Sequence, residues 1–141
     1  MLTPGSAIAV GDRFSAQIAS QLSRTQIVQY AGASGDFNPA HTDEVFARDV
    51  AGYDTVFAHG MLTMGMTANF LVDLVGQPAL RSFGVRFVQQ VWPGDTLHTD
   101  AVVTGVERDA DHVRVDFEVV TTNQRDQPVL TGTATAELTG D

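Results

Sequence analysis

The stretch "GMLTMGMTANFLVDLV", residues 60–75, decides the fold. It is apolar on nearly every face, interrupted only by Asn69 and Asp73. A helix apolar all round is one that protein surrounds. It is short for a bilayer span, which takes about 20 apolar residues, so it reads as a buried core helix.

Four strand-like stretches follow it. In "DHVRVDFEV" (111–119), Val113, Val115, Phe117 and Val119 alternate with His112, Arg114, Asp116 and Glu118, the pattern of a half-buried strand. Phe83, Val85, Phe87 and Val91 share one face of another. Residues 96–107 and 128–138 complete the set, with hairpin-like connections at "ERDAD" (107–111) and "TNQRDQP" (122–128). Helices followed by a run of antiparallel strands indicate an α+β class, the sheet covering one long helix with one face and meeting water with the other.

Upstream, residues 14–21 alternate mildly and predict an edge strand. Ser23 and Gln26 form a capping-box pattern ahead of "IVQYA", which predicts a helix over 24–33. Gly32, Gly35 and Pro39 then break the chain into a loop, and Thr42 is placed to cap a short helix at 43–48. No repeat, low-complexity tract or linker divides the chain, so one domain over residues 1–141 is expected.

Composition narrows the function classes. The chain has no cysteine, which removes disulfides, thiolate nucleophiles and Cys-ligated metals. Eight basic residues, all arginine, face seventeen acidic ones for a net charge of −9, so nucleic acid and anionic membrane are poor partners. The opening "MLTPGSAIAVGDRF" lacks a basic segment followed by a long apolar one, so a cytoplasmic protein is expected.

Several motif-like fragments fail on inspection. "GASGD" (32–36) has Asp36 where a nucleophile elbow needs its second glycine, and a helix where it needs a strand. Gly60 and Gly65 are spaced as in a phosphate loop, but Met66 stands where the lysine belongs. His41, His59, His98 and His112 show no zinc-like spacing, so no metal is expected.

What survives is "SGDFNPAH", residues 34–41. Pro39 fixes its own φ and pushes Asn38 towards an extended conformation, so the loop is stiff enough to aim side chains. Asp36 and His41 supply an acid and an imidazole, the minimum equipment for moving a proton to or from water near neutral pH. In "FAHGMLTMG" (57–65) the buried helix begins at Gly60. The first N–H groups of a helix lack intrahelical partners and carry partial positive charge, which suits a developing oxyanion. Together these residues point to acid–base chemistry beside an activated carbonyl.

"YAGASGDFNPAHTDEVFA", "VFAHGMLTMGM" and "VRFVQQVWPGDTL" closely resemble the MaoC-like dehydratases and (R)-specific enoyl-CoA hydratases, in family order and over about residues 10–138. The first motif is highly specific; the proline-glycine-aspartate strand motif at 93–95 supports it. The resemblance implies a hot-dog fold, a long central helix wrapped by a curved antiparallel sheet. It also implies a homodimer through sheet edges, or a heterodimer with a related chain. The implied substrate is an acyl thioester on coenzyme A or acyl carrier protein, with no separate cofactor. The implied reaction is hydration of a trans-2-enoyl thioester to its (3R)-hydroxyacyl product, and the reverse. Asp36 and His41 match the catalytic pair, Gly60 the oxyanion glycine, and Gly35 and Asn38 the loop-shaping positions. Ala68 stands where some members carry a helix serine, leaving Thr63 or Asn69 as substitutes.

For substrate binding, Phe57, Met61, Met64, Phe87 and Trp92 are candidates for an apolar acyl pocket over the pair, and His59 flanks Gly60. Arg86, Arg81 and Arg48 are the cations available for phosphate. Two alternatives stay open: a hot-dog thioesterase, and a non-catalytic acyl-thioester-binding subunit.

Overall fold

Ser23 starts helix α1 (Arg24–Ser34) with a reciprocal cap: its hydroxyl accepts from Gln26 N–H, while Gln26 Oε1 accepts from Ser23 N–H at 2.9 Å. This satisfies two backbone donors that the helix itself leaves unpaired. Replacing Ser23 with Ala is expected to cost about 1 kcal/mol of stability, read as a lower urea midpoint with an unchanged slope.

The computed structural model describes residues 1–109 and 112–139. Strand β1 (Arg13–Ala19) precedes α1, and a 3₁₀ turn (Pro39–His41) and α2 (Glu44–Asp49) follow it. Then come α3 (Gly60–Val75) and four strands: β2 (Leu80–Phe87), β3 (Leu97–Arg108), β4 (His112–Thr122) and β5 (Pro128–Thr139). The five strands form one antiparallel sheet in the order β1-β3-β4-β5-β2, so β1 and β2 are its edges. Asn123 N–H closes the β4–β5 hairpin on Gln127 O at 3.0 Å. The tip of the 107–111 connection lies outside the described residues.

The sheet curves around α3, which is the hot-dog arrangement. Curvature brings β2 and β5 so close that a Cβ on Gly132 would overlap the Gly84 carbonyl oxygen. Two apolar clusters fill the space between helix and sheet. One joins Leu71 and Val75 near the helix C-terminus to Val103, Val115 and Phe117. The other sits by the helix N-terminus, where Leu22, Ile27, Ala58, Leu97 and Leu130 meet Leu62 and Met66. Buried hydroxyls fix the helix's register on the sheet. Thr67 Oγ1 donates to Thr63 O at 3.0 Å, Thr67 and Thr121 hydroxyls pair at 2.9 Å, and Thr121 and Thr99 at 2.8 Å.

Two expectations change. Helix α3 is not enclosed on every side: Thr63, Thr67, Leu71 and Val75 form its buried stripe, while Met61, Gly65, Asn69 and Asp73 recur every four residues along an exposed one. The sheet wraps one side only. Residue 42 also does not cap α2. Asp43 does, its Oδ1 accepting from Val45 and Phe46 N–H at 2.9 and 3.1 Å, because the helix begins one residue later than expected, at Glu44.

Candidate active site

Helix α1 ends at Gly35, whose φ of 76° is left-handed and whose N–H returns to Ala31 O at 3.0 Å. Only glycine takes that conformation without strain, and it turns the chain sharply into the loop. Ser34 is not poised as a nucleophile; its hydroxyl donates to Tyr30 O at 2.7 Å. Asp36 Oδ1 accepts from Asn38 N–H at 3.2 Å, and Asn38 Oδ1 accepts from Ala40 N–H at 3.0 Å. Asn38 is extended (φ −56°, ψ 122°), as a residue before proline should be. The loop thus closes on itself and delivers His41 at the end of one 3₁₀ turn.

A second segment, residues 55–60, supports it. Glu44 accepts from Arg24 Nε–H and from the Thr55 hydroxyl, both at 2.9 Å, tying α1, α2 and this segment together. The Arg24 hydrogen bond first, and the Thr55 hydroxyl second, lower the Glu44 carboxyl below its ordinary value. Ala58 N–H donates to Val91 O at 2.8 Å. Val91 is held by residues 92–95, which form a turn before β3 and not part of a strand: Gly94 has φ 93°, and buried Asp95 accepts from Trp92 N–H and Gln124 Nε2–H, both at 2.8 Å. The proline-glycine-aspartate motif therefore shapes the turn that follows Val91, the residue to which Ala58 is hydrogen-bonded.

Between the two segments, His41 Nδ1 lies 2.7 Å from Phe57 O. A carbonyl only accepts, so Nδ1 carries the proton and Nε2 keeps its lone pair. His59, 2% exposed, places Nε2 3.0 Å from Asp36 O and stacks its ring on that of His41, with centroids 3.9 Å apart and planes 29° from parallel. Polar atoms of Asp36, His41 and His59 lie within 4.8 Å of one another. Spacing along the chain did not reveal this grouping. By distance it is also a possible metal-ligand set. Nearly parallel rings, however, hold their in-plane lone pairs side by side, and these do not converge within the ~2.0–2.1 Å that a Zn–N bond requires.

A pocket of ≈ 280 Å³ opens at the start of α3, lined by Phe57, Gly60, Thr63, Phe87, Gln90 and Val129 among others. The Phe87 ring closes over Gly60, its carbons 3.1–3.2 Å from where a Cβ would stand.

With this geometry in hand, comparison with known proteins is decisive about kinship. A family model described as "MaoC like domain" matches residues 6–132.

The chain belongs to the MaoC-like family.

Among its relatives, the peroxisomal enoyl-CoA hydratase 2 of Arabidopsis thaliana is 37% identical over 76 residues, 52% of this chain and 24% of that protein. The (R)-specific enoyl-CoA hydratase of Rhodospirillum rubrum is 36% identical over 94 residues, 65% of each. The matches thus span less than two thirds of either relative. The crystal structure of the MaoC-like dehydratase from Rhodospirillum rubrum superposes with a TM-score of 0.78 at 28% identity, covering 95% of this chain and 94% of that one. This chain is therefore a hot-dog protein related to the enoyl-CoA hydratases and dehydratases.

Within this MaoC-like domain the expected substrate residues separate. Phe57, Gly60 and Phe87 line the pocket, and Trp92 packs edge-on to Phe57 at 6.0 Å. Gly35 and Asn38 shape the loop, and His59 is sealed behind His41. Asp36 is exposed, so no acyl tunnel covers it within the single chain. Met61, 54% exposed, lies on the outer stripe of α3, and Met64 packs into the apolar cluster by the helix N-terminus. Thr63 reaches the pocket, whereas Asn69 faces outwards.

Arg86 stands away from that pocket. It lines a depression with Thr104, Glu118 and Thr131, because alternation along β2 sends it to the face opposite Phe87. Arg81 pairs with Glu137 at 2.8 Å and Arg48 with Glu44 at 3.8 Å. Among the described residues, no helix is long and apolar enough to cross a membrane.

Proposed function

We propose that this chain hydrates trans-2-enoyl thioesters reversibly to (3R)-3-hydroxyacyl thioesters. The observation that carries this is the pairing of Asp36 with a His41 whose free nitrogen is Nε2, beside a pocket that begins at the α3 N-terminus. The thioester oxygen lies on the Gly60 amide. Asp36 and His41 hold one water between them, and neutral His41 takes its proton on Nε2 as the water oxygen bonds to C3. Charge moving onto the thioester oxygen is stabilised by the helix-terminal amide. The pair returns the proton to C2 on the same face. Dehydration is the reverse path.

The acyl group is carried on coenzyme A or an acyl carrier protein, and two chains assemble through sheet edges, as identical copies or as related partners. Crotonyl-CoA tests the reaction. Loss of the conjugated-enoyl absorbance without free thiol is the expected result, with chiral analysis giving the (3R) product. Release of thiol would make the chain a thioesterase. Binding of acyl thioesters across chain lengths with no chemistry would make it a non-catalytic subunit.

A further inference from the structure

His59 has no part in the proton transfers just described, yet it is the most heavily committed side chain near them. It stands at the N-cap of α3 but makes no capping hydrogen bond with its side chain. Its ring is instead held between Tyr30, at a centroid distance of 4.9 Å, and His41, at 3.9 Å. Its Nε2 reaches the backbone carbonyl of Asp36 at 3.0 Å, and its Nδ1 is buried with no partner among the described residues.

The carbonyl can only accept, so Nε2 carries the proton and Nδ1 a bare lone pair. His59 is therefore held with its proton on Nε2. His41, donating from Nδ1 to Phe57 O, is held in the opposite tautomer.

We propose that His59 is a positioning residue for the proposed hydration: it fixes Asp36 through that residue's carbonyl and His41 through the ring stack. The proposal rests on the functional reading above. The stack matters because His41 becomes cationic when it takes the water's proton, and a ring face attracts a cation. An imidazole does both tasks at once. Phenylalanine supplies a ring without a donor, and glutamine a donor without a ring. The unpartnered Nδ1 is the cost of using one side chain for both.

Long-range ¹H–¹⁵N spectra of the wild-type protein, recorded across roughly pH 6–8 where an unperturbed imidazole titrates, test the arrangement without any substrate. The expected result is neutral His59 carrying its proton on Nε2 and neutral His41 carrying its own on Nδ1. A neutral His59 protonated on Nδ1 overturns the proposal. In parallel, His59→Phe and His59→Gln are each expected to lower kcat with crotonyl-CoA about 10–10²-fold, the cost of a misplaced reacting group, with KM within about twofold of wild type. A folded variant of either kind with kcat within about twofold of wild type also overturns it. If one variant does not fold, the other and the spectra decide. Should the wild-type protein hydrate no enoyl thioester, the functional reading fails by itself, and the spectra still settle how His59 is held.

Discussion

Asp36→Asn and His41→Gln are each expected to lower kcat for crotonyl-CoA hydration about 10²–10⁴-fold, the usual contribution of general acid–base catalysis, with little effect on folding. The asymmetry between activity and stability follows from the local contacts. Asp36 is exposed, and its structural task is to accept the Asn38 N–H at 3.2 Å. An asparagine side chain keeps that acceptor and loses only the charge. His41 donates to Phe57 O through Nδ1, and a glutamine amide can donate there as well. What glutamine cannot do is take a proton at neutral pH. In the proposed mechanism the two residues share one water, so their effects should not add: the double variant should be about as slow as the slower single one. Thermal melts matched to wild type, alongside steady-state rates, separate this outcome from misfolding. Retention of full activity by both single variants would show that the pair does not perform the chemistry.

Local rules made much of this architecture legible. The Ser23–Gln26 box, the span of α3 and the alternation in β4 each depend on neighbours in the chain, so sequence alone carries them. The loop from Gly35 to His41 was legible for the same reason, since its stiffness comes from one glycine and one proline. The cap of α2 fell between two adjacent residues, both able to serve, and a helix start at Glu44 made it Asp43. The face of Arg86 was legible too: with Phe83, Val85 and Phe87 on one face of β2, strand parity sends Arg86 to the other. The open stripe of α3 was legible as well, since Asn69 and Asp73 stand four residues apart and so share one helix face. One feature was beyond reach. His59 meets His41 only because the 55–60 segment packs across the loop, through Ala40, Val91 and the Asp95 turn. No periodicity links those positions.

Gly60→Ala is expected to lower kcat about 10²–10³-fold, as loss of an oxyanion donor does, while leaving stability unchanged or slightly raised. In the free protein the added Cβ would stand 3.1–3.2 Å from three carbons of the Phe87 ring. Phe87 is 48% exposed, so its ring can swing aside at little cost, and alanine is the better helix former at this position. The expected damage is to substrate alone, because a Cβ on this pocket-lining glycine crowds the approach that the proposed mechanism gives the thioester oxygen. Two companions separate these effects. Gly65→Ala, on the same helix but with nothing within 4 Å of its Cβ position, should gain up to about 1 kcal/mol and keep full activity. Adding Phe87→Ala to Gly60→Ala removes the ring but not the Cβ, so activity should stay low. Rescue by that second change would mean the ring, and not access to the amide, limits the reaction. A Gly60→Ala enzyme within a few-fold of wild type would place the oxyanion site elsewhere.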